Sequence, residues 1–267
     1  MTAWTVSDQM HRTILVPEHP QRIISLVPSQ TELLHDLGLG SRSTAGRVVG
    51  ITKFCVHPEE WFRTIPRVGG TKKVDMDKIR ALKPDLIIGN KEENKRKDIE
   101  ALEKEFPVWM SDVRDLDGAL DMIGRIGDLT GTIAEATVLR QGIERSFAQL
   151  AIREEPRTVA YFIWQEPFMV AGHGTFVNDM LQRCGLINVF DEGDARYPEI
   201  TARELAEADP DVVLLSSEPF PFKEEHIAEF NMILPGTPVH LVDGAMFSWY
   251  GSRLLTAPAY FNGLGIV

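Results

Sequence analysis

At 267 residues and 43% hydrophobic content, the chain can bury one large core or two moderate ones, because α/β lobes of roughly 100 residues are stable units. A formal net charge of -11 argues against nucleic acid as a partner, since polyanion binding needs a basic patch. The acidity is spread along the chain as a solvated surface, and no run of about 18 apolar residues is present to span a membrane.

The chain opens with TAWTVSD, MHRTILVP and PQRIISLVP, three short apolar runs parted by turn residues. They are expected to form a hairpin and then a buried strand over Ile23–Val27, bounded by Pro20 and Pro28. SQTELLHDLGLG reads as a helix capped by Ser29 or Thr31 and ended at Gly38. STAGRVVGIT is a second strand. VDMDKIRALKPDLIIGN gives a short helix, a proline turn and a buried strand, and NKRKDIEALEKEFPVWMSD repeats the pattern with a strand over Val108–Met110. Strands alternating with helices imply a parallel sheet.

Residues 117–153 break this rhythm. They carry no proline, and apolar positions from Leu120 to Leu150 recur every three or four residues. A single long helix or bent rod is expected here, with two successive helices as the alternative and Thr130–Gly131 as the bend. After Pro156 the alternation restarts: RTVAYFIW is a strand, TFVNDMLQRCGL a helix, and ITARELAEADPDVVLLS a helix, a proline turn and a strand. EEHIAEFNMI, PVHLVD and RLLTAPAYFNGL follow as helix, strand and an interrupted helix.

The phrases RALKPDLIIG and ELAEADPDVVLL are near repeats. In each, proline ends a helix and sets the entry to an aliphatic run that needs burial on both faces. The repeat implies two similar lobes: residues 1–116 and 154–267, joined by a connecting backbone helix over 117–153. A cleft between lobes is a default ligand site.

RIISLVPSQTELLHDLGLG, VGGTKKVDMDKIRALKPDLIIG, FMVAGHGTFVNDMLQRCGLINVF and YPEITARELAEADPDVVLL occur in an order that resembles the cobalamin-binding components of bacterial ABC importers. More broadly the chain is similar to the class III, helical-backbone substrate-binding proteins. The resemblance implies an α/β fold with two Rossmann-like lobes, a rigid connecting helix and a shallow cleft. It also implies a corrinoid or related metal chelate as ligand, with siderophore, haem or a metal ion as the alternative. No catalytic cofactor is implied, and the protein is expected to be a monomer working with an ABC permease. A cytosolic enzyme of metallo-cofactor metabolism is the rival of another class, yet no G-x-S-x-G, Walker A or G-x-G-x-x-G pattern is present.

Ligands sit outside the carboxyl ends of parallel strands. That rule selects Pro28, Ser29, Gln30 and Thr31 in the first lobe and Glu92, Glu93 and Asn94 after the repeated strand, while the resemblance implies that the loop with Gly69, Gly70 and Thr71 contacts ligand. Trp61 and Phe62 either wall the cleft or pack. In the second lobe the same rule selects Trp164, Glu166 and Phe168 and the loop residues Phe247, Trp249, Tyr250 and Arg253; DARYP adds Arg196 and Tyr197, the latter at a position that the resemblance implies as an aromatic ligand contact. Trp164 and Phe168 either stack on a planar macrocycle or fill the seam between lobes, and the three aromatics of the Phe247–Tyr250 loop are expected to face the cleft. Cys55, His57 and His173 are candidate metal ligands.

The resemblance further implies docking on a permease through one acidic residue per lobe. Seven residues before each repeated proline stand Asp77 and Arg203, so the second position reverses the charge, with Glu204 as a partial substitute. MTAWTVSDQMHR lacks the regions of a signal peptide, and the two cysteines are too few for a disulfide framework. As encoded the chain is expected in the cytoplasm; a trimmed N-terminus would make it periplasmic, as the resemblance implies.

Overall fold

The computed structural model describes residues 3–40, 46–152 and 155–266. Ser43, Thr44 and Ala45 of the expected second strand and Arg153 at the end of the expected connecting helix lie outside the described residues. The chain forms two compact units. Residues 1–113, 117–144 and 250–253 make the first; residues 114–116, 145–249 and 254–267 make the second.

In the first unit, β1 (Ala3–Ser7) and β2 (Thr13–Pro17) form the expected antiparallel hairpin. A parallel sheet follows, built from β3 (Ile23–Ser25), β4 (Val48–Ile51), β7 (Leu86–Asn90) and β8 (Val108–Ser111) in the order β4-β3-β7-β8. Its helices are α1 (Pro28–Leu34), α2 (Glu59–Thr64), α3 (Met76–Leu82) and α4 (Arg96–Leu102), with a short ladder of β5 (Gly69–Gly70) and β6 (Lys73–Val74). β3 stops earlier than expected because Val27 caps α1 and Pro28 takes its first turn, where a missing N–H costs nothing. Beneath the sheet Ile24, Leu26, Ile79, Ile87, Ile99, Leu102 and Met110 share one core.

The expectation of one long helix or bent rod over 117–153 is corrected. The segment holds α5 (Leu116–Thr130) and α6 (Ile133–Phe147), parted by Gly131 at φ +67°. A Cβ on Gly127 would lie 2.5 Å from that of Ala136, although residues nine apart in one straight helix are separated by about 13.5 Å along its axis. The second helix therefore turns back against the first, and Gly127 is the residue that permits the approach.

The second unit carries a six-stranded sheet from β9 (Arg157–Trp164), β10 (Phe168–Val170), β11 (Leu186–Asn188), β12 (Glu199–Ile200), β13 (Val212–Ser216) and β14 (Val239–Val242). β9, β11, β13 and β14 run parallel, whereas β10 and β12 add an antiparallel edge. Its helices are α7 (Phe176–Arg183), α8 (Ala202–Ala208), α9 (Glu224–Ile233), α10 (Gly244–Ser248) and α11 (Ala257–Gly263). Ala160, Phe162, Val170, Leu205, Val213, Leu215, Phe222 and Phe230 form its core. The α/β class expected from the sequence is the class observed.

The doubled phrase has a matched geometry. Asp75 caps α3 by accepting from Lys78 N, and Thr201 caps α8 by accepting from Glu204 N. Both helices end on a left-handed residue, Lys83 at φ 46° and Asp209 at φ 41°, just before the proline. The aspartate after each proline then moors the start of a neighbouring strand. Asp85 accepts from Gln21 N at 2.7 Å and Arg22 N at 2.8 Å, ahead of β3. Asp211 accepts from Thr158 N at 2.7 Å and Thr158 Oγ1 at 2.9 Å, at the start of β9. The Thr158 backbone N–H and hydroxyl hold the Asp211 carboxyl below the usual carboxylate range.

Candidate ligand-binding surfaces

At the carboxyl ends of β3, β4, β7 and β8, amide side chains knit the loops of the first unit. Asn94 Nδ2 donates to Leu26 O at 3.3 Å and Thr71 O at 3.1 Å, while its Oδ1 accepts from Asn90 N at 2.9 Å. Asn90 Oδ1 in turn accepts from Glu92 N and Glu93 N. Thr71 is buried and supplies its carbonyl inward, and Glu93 is half-buried. Gln30 departs from the expected ligand contact. It is fully buried, and its Nε2 donates to Ser111 Oγ at 2.6 Å. The cause is α1, whose second residue Ser29, third residue Gln30 and fourth residue Thr31 all turn into the core.

Cys55 is also corrected. Its thiol is fully buried against Thr31 Oγ1 and Thr52 Oγ1, each at 3.1 Å, and burial pushes its pKa up, so it packs inside the first unit. His57 is exposed. Trp61 is buried and its indole lies over Gly40, where a Cβ would approach to 2.6 Å; it packs. Phe62 is covered by the Arg67 guanidinium, 4.4 Å from the ring centre.

The residue that sequence reasoning passed over on this rim is Phe54. Its ring is 50% exposed three residues beyond β4. Lys53 Nζ lies 4.9 Å from its centre, a cation–π contact. Gly70 passes beneath, its Cβ position 3.1 Å from the ring. The signal was available: ITKFCVHP places an aromatic directly after a strand.

In the second unit, Trp164 ends β9 with 40% of its surface exposed, its Nε1 donating to Glu166 O at 3.0 Å. Phe220, beyond β13, meets it edge-on at 5.6 Å. Tyr197 is 36% exposed, Glu166 is exposed and Arg196 is half-buried. Phe168 instead joins Phe162 and Phe230 at centroid distances of 5.5 and 5.2 Å, as part of the aromatic core. His173 is exposed with Nδ1 3.0 Å from Asp191 Oδ1.

The aromatic loop Phe247–Tyr250 is the largest correction. Phe247 is 1% exposed and packs on Tyr161 at 5.2 Å and Phe261 at 4.6 Å. Trp249 and Tyr250 are buried as well. Phe247 lies in α10, which is capped by the Asp243 side chain, while Trp249 is the extended residue that ends that helix and Tyr250 follows it. Arg253 forms a two-pronged pair with Glu32, at 3.0 and 2.7 Å, within the first unit.

The two positions expected to dock a permease are both exposed at the second residue of their helices. Asp77 pairs with Arg80 at 3.1 Å, and Arg203 with Glu207 at 2.7 Å. Glu204 is occupied: its Oε2 accepts from Thr201 N and Oγ1 in a capping box. The Thr201 hydroxyl and N–H hold its pKa below the usual range. Among the described residues, no group of three or more His, Cys, Asp or Glu side chains converges to hold a metal ion, and no helix is long and apolar enough to cross a membrane.

Comparison with known proteins places these surfaces in context. The vitamin B12-binding protein of Vibrio campbellii is 28% identical over 204 residues, covering 73% of this chain and 70% of that one. The crystal structure of the periplasmic vitamin B12-binding protein BtuF of Vibrio cholerae superposes with a TM-score of 0.78 at 22% identity, covering 92% of this chain and 97% of that one. The periplasmic haem-binding protein RhuT from Roseiflexus sp. RS-1 gives a TM-score of 0.76 at 20% identity, over 91% and 98%. Residues 23–231 match the model of the periplasmic binding protein family, and the chain belongs to that family.

Proposed function

We propose that this protein binds a corrinoid, or failing that another planar metal chelate, without altering it, and passes it to a membrane permease. The observation that carries the reading is the similarity to vitamin B12-binding proteins along most of the chain. Supporting it, each unit exposes aromatic rings at its strand ends, Phe54 in one and Trp164 with Tyr197 in the other. Such rings suit the faces and edges of a macrocycle. A bare metal ion fits less well, because no ligand cluster converges among the described residues. Permease contact is assigned to the first turns of α3 and α8, where Asp77 and Arg203 present opposite charges. A partner complementary to both would carry a basic and an acidic pocket. We extend to this protein the periplasmic placement of its family.

Titration with cyanocobalamin, cobinamide and haemin, followed by visible spectra and tryptophan fluorescence, tests the reading. Stoichiometric corrinoid binding without conversion is expected. An axial bond from His57 or His173 would shift the cobalt bands, and H57A or H173A would abolish that shift. Haemin binding without corrinoid binding would move the assignment to the tetrapyrroles. Turnover of either ligand would sink the binding-protein reading in favour of an enzyme.

A further inference from the structure

Beyond the carboxyl end of β13, the central parallel strand of the second unit, the loop Ser216–Phe222 holds a carboxylate in a fixed pose. Glu218 Oε1 accepts from Trp249 Nε1 at 2.8 Å and lies 2.7 Å from Ser248 Oγ. Ser248 Oγ also lies 2.9 Å from Gly244 O; its single proton goes to the charged acceptor, the stronger of the two. The main chain under Glu218 is fixed from below. Buried Tyr161 donates its hydroxyl to Ser216 Oγ at 3.1 Å, and Ser216 Oγ donates to Glu218 O at 2.6 Å. Gly244 closes the remaining space: a Cβ there would lie 2.3 Å from Ser216 Oγ and 2.7 Å from Glu218 Cγ.

The second oxygen is open to solvent: among the described residues Glu218 Oε2 accepts no hydrogen bond, it is not among the buried atoms without a partner, and the residue is half exposed. A tie between the loop and α10 would need one oxygen and no charge. With one oxygen held by the protein and no cation beside it among the described residues, the other is free to exchange water for a donor on a bound ligand. The same loop carries Phe220, whose ring meets Trp164 at the carboxyl end of β9. A stacking surface and a directed acceptor thus share one rim.

We propose that Glu218 is the specificity-determining acceptor of the second unit. Its Oε2 receives an N–H donor from the rim of the ligand, a carboxamide or an ammonium, and excludes ligands that present a carboxylate there. This inference rests on the chelate-binding reading above and narrows it to chelates with amide or amine substituents. Exclusion follows from like-charge contact at a site that cannot swing away.

The test compares cyanocobalamin with the cobalamin monocarboxylic acids obtained by hydrolysing single propionamides. Wild type is expected to prefer the amide form over at least one monoacid by about tenfold or more. Glu218→Gln keeps an acceptor oxygen for Ser248 and Trp249, so its thermal midpoint should stay close to wild type while the preference collapses towards one. A purely structural role would lower the midpoint and leave the preference unchanged; that result, or no preference in wild type, overturns the proposal. If wild type binds haemin and no corrinoid, the corrinoid reading fails by itself. Glu218 is then judged by haemin against its bis-amide, and preference for the free diacid overturns it. Binding of none of these chelates overturns both.

Discussion

Phe247→Ala separates a packing role from a ligand-contact role at the position where sequence and structure disagree most. The ring is 1% exposed between Tyr161 and Phe261, with Tyr260 at 6.4 Å. Losing the transfer free energy of the buried ring costs about 2 kcal/mol. A residual cavity on the order of 100 Å³, at roughly 24 cal/mol per Å³, adds about 2 kcal/mol. The sum, about 4 kcal/mol, falls inside the range of about 3–5 kcal/mol typical of buried Phe→Ala changes. With a urea slope of about 2 kcal/mol per M, the midpoint of the second unit should fall by about 2 M. Phe247→Leu should recover most of the loss, since it restores volume. The assay is urea unfolding by circular dichroism, run beside ligand titration of the folded variant at low urea. A midpoint shift under about 0.5 M together with a tenfold loss of affinity would refute the packing assignment.

Three further outcomes follow from named contacts. Gly251→Ala places a Cβ 2.6 Å from Ser29 O, a backbone atom of α1 that cannot move aside cheaply; a loss of about 1–3 kcal/mol is expected in denaturant melts. Phe54→Ala removes an exposed ring and should weaken chelate binding several-fold while leaving the urea midpoint within about 0.5 M. Stability should also fall in acid. Asp211 and Glu204 have folded pKa values lowered by the Thr158 and Thr201 hydrogen bonds respectively, and Glu105 by its hydrogen bonds to Arg80. Their contribution is therefore full above the unfolded values of about 4 and is lost as pH falls through the lower folded ones. Urea midpoints between pH 6 and 3 should be flat at first and then drop, less steeply in Asp211→Asn, which starts from a lower plateau.

The sequence by itself determined the α/β class and the order of most elements. Pro84 and Pro210 had to end helices, and the aliphatic runs after them had to be buried strands, because those constraints act within a few residues. It also specified the loop after β9, hence Trp164 as an exposed ring. Tertiary structure decided what periodicity could not carry. Residues 117–153 keep an apolar helical period throughout, so only the contact of Gly127 with Ala136 reveals that the chain turns back. The aspartates of the doubled phrase act on Gln21, Arg22 and Thr158, which needs strands brought together from distant segments. The same reason moved the firmest sequence assignment. Three aromatics in MFSWY read as an exposed loop, yet Phe247 in α10 and Trp249 and Tyr250 after it are all buried, while Glu218, unremarkable in SSEPF, is held by Ser248 and Trp249 some thirty residues later. Local patterns fix which backbone forms, but which side of it meets solvent depends on partners that only the folded chain supplies.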